Sequence, residues 1–399
     1  MLQAIDVLSV LFRYFSYFVA VHWCIVSCYV IVGLIGFIFY RQTQKSIFEE
    51  TDLELCIVSK ASKDVEDQLI ENISYHKKMF PEYKMNVIVD EGSSSLKRLK
   101  QSISNGSSVN LVIVPKRFKC KAIAKGRAIQ YFIENHVVDS TWYAFIDDDN
   151  RILDRTFLKE IPCYDAKGYG ASNGILLPRT SGNDITFVAD SLRYFDDKTI
   201  FRFGTGLLKM PLNGFHGELL ISKGEYLRKI TFNRKSVTED FSYASELMKH
   251  KIKVWQSSTM ISIFSPVAVT DFFKQRNRWF RGISHDVRKT PLKMKLFSGI
   301  RIIDWTLGIF GSWVIFPLWF FMPIPLWLIL FNFIGASYYY GSYLWGISHL
   351  EDWTGKIKGI LCIPIYSTME TLSPWIHTNG FNVIDKNGLT NGKNGIRYQ

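Results

Sequence analysis

Trp142-Tyr143-Ala144-Phe145-Ile146-Asp147-Asp148-Asp149 is an unbroken apolar and aromatic run that ends in three carboxylates. A short continuous apolar run rich in aromatic residues reads as a strand buried on both faces. Acidic residues just past it lie at the strand's carboxyl end, where an open α/β sheet places its ligand. Upstream, 53–59 (LELCIVS), 85–89 (MNVIV) and 110–114 (NLVIV) read the same way, and the second of them ends in Asp90-Glu91-Gly92. Asp64 to Phe80 has helical spacing, with Val65, Leu69, Ile73 and Phe80 on related faces, and stops at Pro81. Residues 121–136 form a second helix. Strands alternating with helices predict an α/β domain with a mostly parallel sheet.

The rest of the chain is built differently. The whole chain has 399 residues, 47% hydrophobic and 15% aromatic with 21% charged, which excludes a disordered chain. Its 27 Gly and 12 Pro are scattered, which excludes collagen-like and low-complexity classes. Six Cys without a CxxC pair argue against a disulfide framework or a structural zinc site. The net charge of +12 is concentrated in 41–301, which holds 42 basic and 30 acidic residues. A basic middle between apolar ends fits work on an anionic substrate or at an anionic membrane surface. No nucleic-acid recognition motif accompanies it, so no nucleic acid partner is expected.

Residues 17–40 form an uncharged run long enough to span a bilayer, which takes ~20 residues. Arg41 and Lys45 follow the run rather than precede it, and no small-residue cleavage site is present. An uncleaved anchor with the following chain in the cytoplasm is therefore expected. Residues 5–16 read as a short amphipathic interface helix. Ile302 to Ile347 is long enough for two more helices, with Pro323 and Pro325 marking the turn and basic residues on both flanks. Residues 359–376 are a third helix, a re-entrant segment or an interfacial helix. The expected organisation is 1–45 (interface helix and anchor), 46–300 (catalytic domain), 301–347 (transmembrane hairpin) and 348–399 (third membrane or re-entrant segment and tail). The sequons at Asn72 and Asn105 then lie on the cytoplasmic side, where they are expected to be unglycosylated.

Three stretches carry chemistry. Asp147 and Asp149, two residues apart after a strand, can aim at one divalent cation that bridges the phosphates of a nucleotide; alone, the triplet is as readily a surface loop. Thr238-Glu239-Asp240 precedes a helix, so its carboxylate is either a general base or a helix cap. Gln275-Arg276-Asn277-Arg278-Trp279 offers Arg278 for a pyrophosphate and Trp279 for a sugar face, or else a basic patch on anionic lipid. His216-Gly217-Glu218 follows Gly214-Phe215 as an acceptor-side loop or a plain turn.

In that order, between membrane segments, these stretches resemble the inverting membrane glycosyltransferases of family 2, over roughly residues 53–300. The resemblance implies a GT-A fold (Rossmann-like), a GDP- or UDP-sugar donor and Mg²⁺ or Mn²⁺. It implies that Asp90 contacts the nucleotide base and that Lys125 and Arg127, in Lys125-Gly126-Arg127-Ala128-Ile129, lie near the diphosphate. Asp147 and Asp149 correspond to the metal pair, Asp147 also contacting the donor, and Asp240 to the catalytic base. Gln275, Arg278 and Trp279 correspond to the segment that holds the acceptor end and the diphosphate, with Glu239, His216 and Glu218 on the acceptor side. Ala189-Asp190-Ser191-Leu192-Arg193, Asp196-Asp197, the 125–131 run and Gly380-Phe381-Asn382-Val383 look like the egghead-type β-1,4-mannosyltransferases. The implied protein is a multi-pass membrane enzyme with a cytoplasmic catalytic domain. It transfers one sugar to a lipid-linked or other glycan acceptor with a β-linkage. A processive synthase of the cellulose or hyaluronan type is the alternative, and the small number of expected spans favours single transfer. A non-catalytic scaffold is disfavoured because every motif carboxylate is present.

Overall fold

The computed structural model describes residues 2–103, 108–321 and 325–376. Pro323, the Asn105 sequon and the 380–383 likeness lie outside them. The chain opens with one helix, α1 (Leu2–Phe39), so 5–16 and 17–40 are continuous. Next come β1 (Leu53–Ser59), α2 (Glu66–Met79), β2 (Lys84–Asp90), α3 (Leu96–Ile103), β3 (Val109–Val114), α4 (Ala124–His136) and β4 (Trp142–Asp147). Every strand and helix read from the sequence between 53 and 147 is present, with boundaries shifted by a few residues.

The second half of the domain is less regular. It contains β5 (Arg151–Ile152), α5 (Thr156–Asp165), β6 (Tyr169–Arg179), α6 (Asp184–Asp190) and α7 (Leu192–Asp196). An eleven-residue π-helical segment, Asp197–Leu207, continues directly from α7. β7 (Leu219–Lys223), α8 (Gly224–Ile230), α9 (Glu239–Lys249), β8 (Lys253–Phe264) and α10 (Val269–Asp286) complete it. The eight strands lie in the order β3-β2-β1-β4-β7-β6-β8-β5. The β3-β2-β1-β4 half is parallel, as expected. Beyond it the sheet is mixed: β7 runs antiparallel to both β4 and β6, and β5 is antiparallel to β8. The chain leaves β6 through α6, α7 and the π segment and re-enters the sheet at that same end as β7, antiparallel to β6.

Strand alternation divides the core into two layers. Leu55 and Ile57 of β1 and Trp142, Ala144 and Ile146 of β4 pack on one face, with Leu69, Ile73, Phe157 and Trp255. Cys56 and Val58, with Tyr143 and Phe145, pack on the other, with Phe132, Ile133 and Leu247. Both faces are covered, which is why these strands are apolar throughout. A third cluster joins the domain to the last helices, with Val188 of α6 and Phe272 of α10 against Tyr343, Ile347, Tyr366 and Met369.

After α10 come α11 (Leu292–Phe321) and α12 (Leu326–Ser348), with Pro325 at the N-cap of α12, so the apolar block divides where expected. The 359–376 stretch is covered by α13 (Trp353–Leu361) and α14 (Ile363–Leu372), of 9 and 10 residues, and neither reaches the ~20 needed to span. Among the described residues one helix, Arg13–Phe39, is long and apolar enough to cross a membrane by length and composition.

α1 is pressed against the π segment. A Cβ on Gly36 would stand 2.5 Å from both Thr199 O and Phe203 N, whereas at Gly33 the nearest atom would be Thr199 Cβ at 3.2 Å. Backbone cannot yield as a side chain can. Gly36→Ala is therefore expected to destabilise by about 1–3 kcal/mol, the range for overpacking, and Gly33→Ala by less. Thermal unfolding in detergent checks this; equal midpoints for the two variants would mean that α1 does not pack here.

Candidate active site

The site lies at the carboxyl ends of β2 and β4. Its assembly follows from two strand registers. Val58 of β1 pairs with Asp147, which sets Ser59 beside the acidic loop, where it donates to Asp148. Ile146 pairs with Leu219 in the antiparallel β4–β7 ladder, so the residues that enter β7 arrive beside Asp147. Those residues are His216, Gly217 and Glu218. Nothing in the local residue pattern marks this strand reversal, and it is what brings the 216–218 loop to the acidic loop.

The acidic loop is fixed by its backbone. Asn72 of α2 donates through Nδ2 to Asp148 O (2.7 Å) and Asn150 O (2.9 Å). Arg179 donates to Asp149 O at 2.7 Å. These bonds hold the loop by its carbonyls rather than by the carboxyl groups of Asp147 and Asp149. The Asn72 amide belongs to a sequon, but it is buried and occupied in this way.

Lys125, at the start of α4, is the central cation. It pairs with Asp147, donates to Gly217 O at 2.9 Å and lies 3.9 Å from Glu239 Oε1. Ala124, immediately before it, has φ +46°, a left-handed conformation that costs a non-glycine residue on the order of 1 kcal/mol. Glu239 and Asp240 occupy the first turn of α9, and Thr238 at the N-cap makes no side-chain cap. Asp240 accepts only its neighbour's amide, Phe241 N, at 2.8 Å.

The electrostatics show a shortage of positive charge. Burial, then Asp148, Asp147 and Glu218, push Asp149 up to about 8. Burial, then Glu239 and Glu218, push Asp240 up to about 7. Burial also raises Asp147 and Glu239, against the pull of Lys125. Glu218 is the exception: burial pushes it up, but Arg193, His216 and Lys125 hold it down at about 2. A site with Asp147 and Asp149 side by side and too little positive charge suits a divalent cation, although no cluster of three or more His, Cys, Asp or Glu able to hold one occurs among the described residues. Two carboxylates would leave the remaining positions to phosphate oxygens and water.

The other predicted residues fall in two groups. Asp90 and Arg127 form an ion pair of 2.6 Å at the mouth of a cleft of about 470 Å³, also lined by Lys60, Gly92 and Lys116. Arg127 is held in place by bonds to Pro115 O and Phe118 O. On the other side, α10 brings Arg278 close enough to act on Asp147 and Glu239. Gln275 accepts from Arg276 at 2.8 Å. The ring of Trp279 has the guanidinium groups of Arg193 and Arg276 at 4.8 and 4.6 Å. His216 is bonded to Asn173 (2.7 Å) and to Asp197 (3.0 Å), and Glu218 is paired with Arg193. Arg193, Asp197, Asn173 and Asn72 are the site residues that sequence reasoning did not assign a role. Only Arg193 and Asp197 carried any signal, as part of a recognisable run.

Comparison with known proteins places the chain in a family. The family described as "Glycosyl transferase family group 2" matches residues 142–348. The chain is 27% identical over 262 residues to beta-1,4-mannosyltransferase egh of Drosophila melanogaster, covering 60% of this chain and 57% of that protein. It is 27% identical over 302 residues to beta-1,4-mannosyltransferase bre-3 of Caenorhabditis elegans, covering 70% and 63%. It thus spans less than two thirds of the length of these relatives. The mannosyltransferase PcManGT of Pyrobaculum calidifontis, solved in complex with GDP-Man and Mn²⁺, superposes with a TM-score of 0.55 at 10% identity, over 91% of this chain and 99% of that one. That likeness establishes a GT-A-like fold.

Asn72→Ala would leave the Asp148 and Asn150 carbonyls without their donor. The expected cost is about 1–3 kcal/mol, as for buried groups left unpaired, read as a lower thermal midpoint. An unchanged midpoint would show that the acidic loop is held by other contacts.

Proposed function

The chain belongs to the family 2 glycosyltransferases, and we propose that it is a membrane-embedded inverting enzyme that transfers a sugar from a GDP- or UDP-sugar to a lipid-linked acceptor with a β-linkage. The curated relatives make β-1,4-mannosyl transfer from GDP-mannose the first reaction to test. One observation carries this proposal: at the carboxyl ends of the strands Lys125 draws together Asp147, Glu239 and Asp240, and Asp149 lies close enough to Asp147 to feel its charge. In this reading, the 1–45 segment anchors the chain, 46–300 is the cytoplasmic catalytic domain, 301–347 is a transmembrane hairpin, and 348–376 lies against it.

Each residue has a part. Asp90 and Arg127 hold the nucleoside end of the donor in the cleft beside Lys116. Asp147 and Asp149 would hold Mg²⁺ or Mn²⁺, which when bound supplies positive charge for the leaving diphosphate. Arg278 and Lys125 give the diphosphate hydrogen bonds and further positive charge, a contribution that grows as the leaving group develops charge. Asp240 accepts the proton of the acceptor hydroxyl, which attacks the anomeric carbon from the face opposite the diphosphate. An α-linked donor thus becomes a β-linked product in one displacement, with no covalent enzyme intermediate. Glu239, Gln275, Trp279, His216 and Glu218 line the acceptor side. The burial that raises Asp240 suits this role, because a base is most effective when its pKa lies near the working pH.

The test is transfer by purified protein in detergent with Mn²⁺ and a lipid extract, with GDP-mannose, UDP-glucose, UDP-N-acetylglucosamine and UDP-glucuronate supplied separately. A short lipid-linked product from one donor is expected. A polymer ladder would replace single transfer with processive synthesis. Asp240→Asn is expected to abolish transfer, a loss of at least about 10²–10⁴-fold, with donor binding retained; near-normal turnover would refute the base assignment.

The same group predicts the pH dependence. Only the carboxylate form accepts a proton, and Asp240 is raised to about 7. The rate is therefore expected to fall as pH drops through about 7 and to level off above it. A profile flat between pH 5 and 9 would contradict Asp240 as the base.

A further inference from the structure

Lys125 occupies a position that the proposed reaction gives to other partners. Its ammonium already pairs with Asp147, the carboxylate proposed for the cation, and its side chain is 21% exposed. Three features keep it there. The left-handed Ala124 (φ +46°) directs the head of α4 into the cleft. The Gly217 carbonyl accepts from it at 2.9 Å. Gly217 also has no side chain to exclude it: a Cβ there would lie 2.8 Å from Lys125 Nζ. The β4–β7 register places this glycine beside Asp147, so the arrangement belongs to the frame of the fold.

We propose that Lys125 is a resident counter-ion, which holds Asp147 in the ligand-free site and releases it only when a divalent cation and a nucleoside diphosphate arrive together. The inference rests on Asp147 and Asp149 being the cation ligands. A cation arriving alone must displace the ammonium from Asp147, its shortest carboxylate contact, and leave it, largely buried, with Glu239 at 3.9 Å as its next partner. A diphosphate removes that penalty by giving the displaced ammonium new anionic oxygens. Cation and nucleoside diphosphate therefore raise each other's affinity by the same factor, as linkage requires. The free site rejects stray metal, and the metal is fixed where the leaving group is present.

The experiment is a Mn²⁺ titration of the full chain in detergent micelles, with free Mn²⁺ read by electron paramagnetic resonance, alone and with GDP or UDP. In the wild type, the diphosphate is expected to tighten Mn²⁺ binding by about fivefold or more, the usual lower range of such coupling. Lys125→Met is expected to bind Mn²⁺ alone about fivefold tighter than wild type and to lose most of the tightening by diphosphate. Gly217→Ala keeps the charge but displaces Nζ, and its affinity for Mn²⁺ alone should fall between the two; it also serves if the methionine variant fails to fold. Binding of Mn²⁺ alone that is no tighter in either variant than in wild type overturns the proposal. Asp149→Ala separates the two levels of the argument. If it abolishes Mn²⁺ binding while the Lys125 and Gly217 variants change nothing, only the counter-ion role fails. If the wild type binds no Mn²⁺ even with diphosphate, the cation assignment fails and takes the counter-ion role with it.

Discussion

The structure depends on one electrostatic constraint: five carboxylates, Asp147, Asp149, Glu218, Glu239 and Asp240, are gathered in one cleft around the single ammonium of Lys125. Arg193 neutralises Glu218. Burial and mutual repulsion drive the others upward, to about 8 for Asp149 and about 7 for Asp240. Such a cluster is costly to fold, because acidic groups with raised pKa values oppose the compact state at neutral pH. Its persistence is understandable where the missing positive charge is brought by the ligand. Perturbed carboxylates at the ends of sheet strands are the usual signature of a site built for chemistry.

What makes the gathering possible is the reversal at β7. In the parallel half, the sheet delivers Asp90 and Asp147 to one edge by simple repetition. Glu218 comes from a strand that runs the other way, so it is the start of β7 that meets the end of β4. A parallel β7 would have put the 214–218 loop at the far edge of the sheet, away from Lys125. The segment between β6 and β7, made of α6, α7 and the π segment, carries Arg193, which pairs with Glu218, and Asp197, which bonds His216.

This division explains what the sequence made legible. The strands from Leu53 to Asp147 are apolar because both their faces are buried, and their acidic ends stand out for the same reason. Asp240 could be located but not interpreted, since a carboxylate in the first turn of a helix serves equally as cap or base. β6 and β8 were not recognised because Tyr169–Arg179 and Lys253–Phe264 mix buried polar residues such as Asn173, Gln256 and Ser257 into their cores. Several of their polar groups bond to partners distant in the chain, as in Thr205 Oγ1 to Gln256 Oε1 at 2.9 Å and Asn173 Nδ2 to His216 at 2.7 Å. Local pattern carries no trace of such pairings. The mixed character of the sheet was hidden for the same reason.

The last helices are tied to the site by a similar long-range pairing. Arg276 sits one residue from Gln275 and three from Trp279, yet it points away from the cleft. It is 2% exposed, and its guanidinium bridges Asp190 of α6 at 2.7 Å and Glu370 of α14 at 2.9 Å. Trp305 of α11 donates to the second oxygen of Glu370 at 3.0 Å, and Asn277 donates to Ser373 O at 2.9 Å. A buried ion pair of this kind contributes little net stability against an apolar replacement, but removing one partner is strongly destabilising. Its value therefore lies in specifying geometry. The helix that presents Gln275, Arg278 and Trp279 is locked in rotation to α14 and α11, the segments nearest the expected bilayer. A single buried guanidinium thus links the helix that carries Gln275, Arg278 and Trp279 to both α6 and α14.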